Sequence, residues 1–293
     1  RRRRDTLKAI FIHELKSYFH SLTAWVFAAF LLCFVGIGAM MYNIQAAVSN
    51  FEYVLSLSSL AFVVIAPILA MRVLAEERRQ KTDQLLYALP VSTVEVILGK
   101  YAALLVLYLV PLAIIAVYPL IFAQFGEVYL PTSYGSLFAF FLLGAALLAV
   151  GMFISSLTDN QGLAAGIGIA VMLFNYYSVS LSEYVSASAL GSAAALVVLS
   201  CVVGLLLKLL TGSGNLGYWT GFALCAASLA LYLLALEALE GLLPEIMSAL
   251  SLFERFYVFV NGVFDVKAVV FDLSVIGFFL FLSVQSLEKR RYN

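Results

Sequence analysis

The sequence predicts an all-α polytopic membrane protein with about eight transmembrane helices, and three observations carry that expectation. The chain has 293 residues, of which 63% are hydrophobic and only 12% charged. That charge is about half of what a soluble domain uses to coat its surface, so the surplus apolar surface must meet lipid. Eight apolar runs approach the roughly 20 residues that a helix needs to cross a bilayer. They are Thr23–Tyr42, Tyr53–Leu74, Lys100–Phe122, Leu137–Leu157, Gly162–Val179, Ala189–Leu210, Tyr218–Leu239 and Ala268–Leu287. The fifth is short and the sixth rich in Ser and Ala, so a count of six to eight spans brackets the reading. A cytosolic enzyme, a secreted domain and a disordered scaffold are excluded. The balance of 17 basic against 17 acidic residues gives no global field to recruit nucleic acid.

Residues 1–22 form the first element. Leu7, Ile10, Phe11, Leu15, Tyr18, Phe19 and Leu22 recur at helical spacing, with Lys8, His13, Lys16 and His20 on the other face. This pattern predicts an amphipathic interfacial helix, its basic side toward anionic headgroups and its aromatic side toward acyl chains or a docked partner. The first apolar run that follows is too long for the core of a cleavable signal peptide. His13-Glu14 begins like a zinc-protease HExxH, but the next histidine is His20, seven residues on, and cannot share a metal in that way.

The transmembrane region, residues 23–293, takes its orientation from charge. With the N-terminus inside and eight alternating spans, fifteen of the seventeen Lys and Arg residues fall on the inner side. Only Arg255 and Lys267 fall outside. The positive-inside rule therefore predicts N- and C-termini in the cytoplasm. Pro111 and Pro119 should kink the third span, which is tolerable where neighbours cover the freed carbonyls. Residues 241–266 are too polar to span and too apolar for a free loop, and predict an amphipathic or re-entrant element on the outer side. Cys33, Cys201 and Cys225 lie far apart in apolar runs and read as small buried apolar residues, with neither a disulfide framework nor a metal site. The steps Gly162–Gly166 and Gly217–Gly221 suggest close helix packing. Lys208, Glu237, Glu240 and Asp272 sit near span ends, where they could reach the headgroups.

Charge concentrates in the inner loop of residues 76–99. A helix start at Thr82-Asp83 presents Leu85, Leu86 and Leu89 together before Pro90 stops it. Ser92-Thr93-Val94-Glu95 then reads as a capping box that opens a helix running into the third span. A short amphipathic helix, a break and a capped helix make a lever suited to passing force from a cytoplasmic partner into the membrane; a solvated connecting loop is the plainer reading.

This loop resembles the signature loop of type-2 ATP-binding-cassette (ABC) transporter permeases, through Glu77, Arg78, Thr82, Leu85, Leu86, Pro90, Val91, Ser92, Gly99 and Lys100. Lys81 stands where that family usually has Gly, and Gln84 where it often has Glu. Ser155-Ser156-Leu157-Thr158-Asp159-Asn160-Gln161 resembles the family's turn between its fourth and fifth spans. The stretch from Phe253-Glu254-Arg255-Phe256 through Asn261-Gly262 to Glu288-Lys289-Arg290-Arg291 is similar to the end of gliding-motility-type and copper-site-maturation-type permeases. The resemblance implies a transmembrane subunit in the bacterial cytoplasmic membrane that pairs with a second permease, identical or related, the latter with a large external domain. It also implies two ATPase subunits, a coupling helix in the loop, and export. The residues expected at the ATPase contact are Glu77, Arg78, Thr82, Leu85, Leu86, Leu89, Pro90, Asp159 and Asn160. An alternative implied by the gliding-type likeness is a membrane anchor or force-transmitting subunit of an extracytoplasmic machine without a small-molecule substrate.

The chain has no phosphate-binding loop of its own. Gly99-Lys100 is followed by Tyr101, and Val94 stands where the first glycine of GxxxxGK[ST] belongs. ATP and Mg are therefore expected on the partner ATPase, with no cofactor and no metal in this chain. Asn175, Tyr176 and Tyr177 form a polar-aromatic cluster in the fifth span, readable as part of an export route or as an interfacial belt.

Overall fold

Apolar runs of this length cannot leave backbone N–H and C=O groups unpaired in hydrocarbon, and helices pair all of them locally. The computed structural model describes residues 2–79, 91–184, 188–211, 214–234 and 239–292, and shows helices and no strand among them. In chain order they are α1 (Arg2–His20), α2 (Leu22–Gly38), α3 (Glu52–Arg79), α4 (Thr93–Ile115), α5 (Tyr118–Phe122) and α6 (Leu130–Leu157). Then come α7 (Gln161–Tyr184), α8 (Ala189–Thr211), α9 (Gly214–Leu234), α10 (Leu242–Ala249), α11 (Leu252–Val260) and α12 (Val266–Tyr292). A wider π-helical segment, Ala39–Gln45, prolongs α2.

Seven helical stretches among the described residues are long and apolar enough to span: Leu22–Gln45, Glu52–Ala75, Thr93–Phe122, Leu130–Leu157, Gln161–Tyr184, Ala189–Lys208 and Val266–Arg290. The remaining expected run appears as a shorter apolar helix, Gly217–Leu233. The coupling helix expected around Thr82–Leu89 lies outside the described residues.

The chain divides into two compact units, one of residues 1–173 and 255–287, the other of residues 174–254 and 288–293. In the first, α3 and α6 run antiparallel along their length. Ser133 Oγ donates to Glu52 Oε1 (2.9 Å) at one end, and Ser155 Oγ to the Met71 carbonyl (3.0 Å) at the other. Small residues allow this approach: a Cβ on Gly151 would stand 2.5 Å from that of Ala70. Aromatic side chains fill the centre, with Phe62 4.8 Å from Phe140 and 5.5 Å from Tyr108 by ring centroid. Tyr108 and Tyr101, two turns apart on α4, donate their hydroxyls to the Phe140 (2.7 Å) and Ala145 (2.9 Å) carbonyls of α6. Each aromatic body is thus buried with its polar tip satisfied.

The proline-bearing third span is continuous through Pro111, ends at Ile115 and restarts as α5. The Tyr134 hydroxyl of α6 donates to the Ala116 carbonyl at the break (3.0 Å), as a kinked span in lipid requires. The first helix lays Ile10, Phe11, Leu15 and Tyr18 inward against α4 and leaves Lys8, His13, Lys16 and His20 exposed.

In the second unit, α8 and α9 form a tight hairpin. A Cβ on Gly204 would meet the Gly217 carbonyl at 2.8 Å, so Gly217 and Gly221 serve packing within the chain. In the first unit, by contrast, a Cβ on Gly166 would meet nothing within 4 Å. Lys208 Nζ donates to the Tyr218 hydroxyl (2.9 Å) across the hairpin. The semi-apolar segment 241–266, divided between the two units after Glu254, folds as the short helices α10 and α11.

Two expectations need correction. Cys33 and Cys201 are exposed and Cys225 half-buried, with the Cys201 and Cys225 sulfurs 4.0 Å apart. Apolar sequence does not imply burial here, because the lipid-facing side of a span is as apolar as its core. Asp272, expected to reach the headgroups, is 4% exposed. In the first unit Arg255 lies beside it on α11, its guanidinium 5.3 Å from the Phe271 ring centroid.

Candidate functional site

Of the residues that sequence reasoning assigned to the coupling region, Glu77, Arg78, Asp159 and Asn160 are described, and they lie at one end of the first unit, where α3 finishes, α4 begins and α6 turns into α7. Each element reaches that end for a local reason. Ser92 opens α4: its hydroxyl accepts from the Glu95 N–H (3.3 Å), and Glu95 Oε2 accepts from the Ser92 N–H (3.3 Å). The expected capping box is therefore present. At the α6–α7 turn, Asn160 Oδ1 accepts from the Gly162 (2.9 Å) and Leu163 (3.3 Å) amides, capping α7, while Thr158 Oγ1 holds the Asn160 N–H (3.2 Å). Asp159 and Asn160 are exposed there. Glu77 and Arg78 lie in the final turns of α3. Thr82, Leu85, Leu86, Leu89 and Pro90 fall outside the described residues.

Behind this end the helices are fastened by polar contacts that spacing alone did not reveal. Lys100 Nζ pairs with Glu14 Oε1 at 2.7 Å, tying α1 to α4, with the lysine side chain 1% exposed and the glutamate 13%. Gly99 permits the approach, since a Cβ there would stand 3.0 Å from Ile10 Cγ2. Lys100, which the sequence marks only as the inner-side start of the third apolar run, is a buried partner. The Ser155 hydroxyl accepts from the Leu74 (3.3 Å) and Ala75 (3.0 Å) amides, in addition to its bond to Met71. Ser286 Oγ of α12 donates to the Ser156 carbonyl (2.9 Å). Arg72 Nη1 donates to Ser21 Oγ (3.1 Å), holding the α1–α2 elbow to α3. The only available signal was the presence of Ser, Lys and Arg inside apolar runs, where an unpaired polar group is costly and a partner must exist.

The possible path residues lie elsewhere, in the second unit. Asn175 Nδ2 donates to the Leu250 carbonyl (3.0 Å) and its Oδ1 accepts from the Leu252 amide (3.1 Å), so this side chain latches the α10–α11 junction. The Tyr176 ring meets those of Tyr177 and Phe253 edge-on, both at 4.9 Å. A mostly apolar cavity of about 180 Å³ adjoins Asn175, lined also by Ser192, Leu196, Leu243 and Met247.

The first unit is thus a group of span-length helices with a largely buried polar brace at one end, which defines a multi-pass membrane subunit. The sequence model of the family described as ABC-2 family transporter protein matches residues 42–236, two thirds of the chain, and the chain belongs to that family. It is a multi-pass permease subunit of an ABC transporter, a family whose members work with an ATP-binding subunit. No curated protein matches the chain.

Proposed function

We propose that this chain passes the movement of separate ATPase subunits into a span bundle that exports a substrate across the bacterial cytoplasmic membrane, with both termini in the cytoplasm. The observation that supports this reading most is the convergence of α3, the capped α4 and the Asn160-capped α7 on one end of a unit braced by Glu14–Lys100 and Ser155. A push on that end moves several spans together, because Lys100 and Ser155 are buried and their contacts have little water to exchange with. The segment around Thr82–Leu89 is the coupling helix, with Leu85, Leu86 and Leu89 as its apolar anchor. Glu77, Arg78, Asp159 and Asn160 complete the ATPase contact, and ATP and Mg sit on the partner chains. A second permease, identical or related, completes the transporter. Its subtype is the gliding-motility or copper-maturation kind suggested by the closing segment.

Leu86→Asp is the direct test. It places a charge where an apolar anchor docks, and interface anchors of this sort contribute about 2 kcal/mol or more each. The variant should reach the membrane and lose its co-purifying ATPase or the ATPase's transport-linked turnover, while Lys81→Gly keeps both. Full complex formation and turnover with Leu86→Asp would reduce the loop to a connector.

A further inference from the structure

At the other end of the first unit, where α3 starts and α6 has just begun, a cavity of about 420 Å³ is lined by Glu52, Glu127, Asn50, Asn261, Tyr53 and Tyr129 among others. Glu127 and Tyr129 are exposed, so the cavity opens to the surface. Glu52 is only 2% exposed. Its Oε1 accepts from Ser133 Oγ (2.9 Å), but its Oε2, equally buried, has no hydrogen-bond partner. The start of α3 favours a negative charge at this position, yet no backbone amide reaches Oε2. A carboxylate oxygen held in that state is costly unless a donor arrives. No Lys, Arg or His is among the residues lining the cavity.

We propose that this cavity binds a small organic cation through its primary ammonium groups. An ammonium brings three donors and no acceptor, which suits Glu52 Oε2, the Glu127 carboxylate and the side-chain amides of Asn50 and Asn261. The tyrosines add ring faces that attract a cation. A calcium ion would take six to eight oxygens, and the described residues contain no cluster of three acidic, His or Cys side chains able to hold a metal. The site is distinct from the ATPase-coupling end, because α3 separates Glu52 from Ala75 by 23 residues, about 35 Å of helix.

The test is equilibrium binding to the full chain in lipid nanodiscs without nucleotide, so its outcome is separate from that of the coupling experiment. The probe is 1,4-diaminobutane, followed calorimetrically against its uncharged twin 1,4-butanediol and against calcium chloride. The diamine should bind saturably and the diol should not. Glu52→Gln and, independently, Glu127→Gln should each weaken binding roughly tenfold or more, the scale of one charge-assisted contact. Glu183→Gln, an exposed carboxylate elsewhere on α7, should leave it unchanged. Should Glu52→Gln fail to fold, Glu127→Gln decides alone. Absence of diamine binding, equal binding of the diol, calcium binding in place of the diamine, or indifference to the cavity variants would each overturn the proposal.

Discussion

Single residues set the spacing between helices in this protein, and Gly144 is the sharpest case. A Cβ there would lie 2.6 Å from the ring of Tyr108, whose hydroxyl is already committed to the Phe140 carbonyl and which is fully buried. Gly144→Ala should therefore destabilise the protein by about 1–3 kcal/mol through overpacking. On the same helix, Gly135 has nothing within 4 Å. Gly135→Ala should be neutral, or stabilising by up to about 1 kcal/mol through helix propensity. Thermal unfolding of the two variants in detergent checks the contrast. The Glu14–Lys100 pair gives a second test at this scale. Lys100→Met removes one partner of a largely buried pair and should cost about 3–5 kcal/mol, whereas the double change with Glu14→Leu should recover most of that loss. A double-mutant cycle reads the coupling, and additive losses would show that the pair acts as two independent groups. Neither feature was legible in the sequence. Gly144 sits in a run of small apolar residues, and Glu14 lies 86 positions from its partner, beyond any local periodicity.

At the scale of elements, local chemistry was readable wherever a side chain serves its own backbone. The Ser92–Glu95 box and the Asn160 turn follow from residues three or fewer apart, and both are present. Asn160→Ala should cost α7 about 0.5–2 kcal/mol of local stability. The loss would show as faster hydrogen exchange at the Gly162 and Leu163 amides, with no change in the middle of α6. What local pattern did not convey is how helices bend and meet. Nothing local signalled the π-helical extension of α2, and the division of the third span after Ile115 is met by a contact from a neighbour. The proline positions signalled a kink, but its partner, the Tyr134 hydroxyl, comes from another helix. Asn175 shows the same limit. Its polarity inside a span flagged it for attention, while its structural duty, latching the α10–α11 junction, needs the tertiary arrangement to be seen.

For the whole molecule, composition alone was enough for the class. An apolar chain with so little charge has no soluble fold available, and the spans follow from run length. The count at the seventh run was harder, because Gly217–Leu233 is short for a span and length is the criterion that sequence offers. Topology gives the matching prediction. In a background with Cys33, Cys201 and Cys225 replaced by alanine, single cysteines at Gln80 and Ser213 should resist a membrane-impermeant thiol reagent in intact cells, and one at Ser248 should react. Labelling at Gln80 from outside would reverse the orientation and remove the proposed coupling loop from the ATPase's reach.

The ion pair between α1 and α4 also bears on the order in which the protein is made. Glu14 leaves the ribosome 86 residues ahead of Lys100, an interval of roughly ten seconds at ordinary synthesis rates. Throughout that wait the first helix has no seat: its apolar face and its carboxylate are complete, but the helix that receives them does not exist. The membrane surface, to which its basic face is suited, is the natural place for it to rest. Nascent chains halted before Lys100 should leave the first helix open to protease, and chains halted well beyond it should protect that helix. Assembly of the braced end is thus timed by the emergence of the third span.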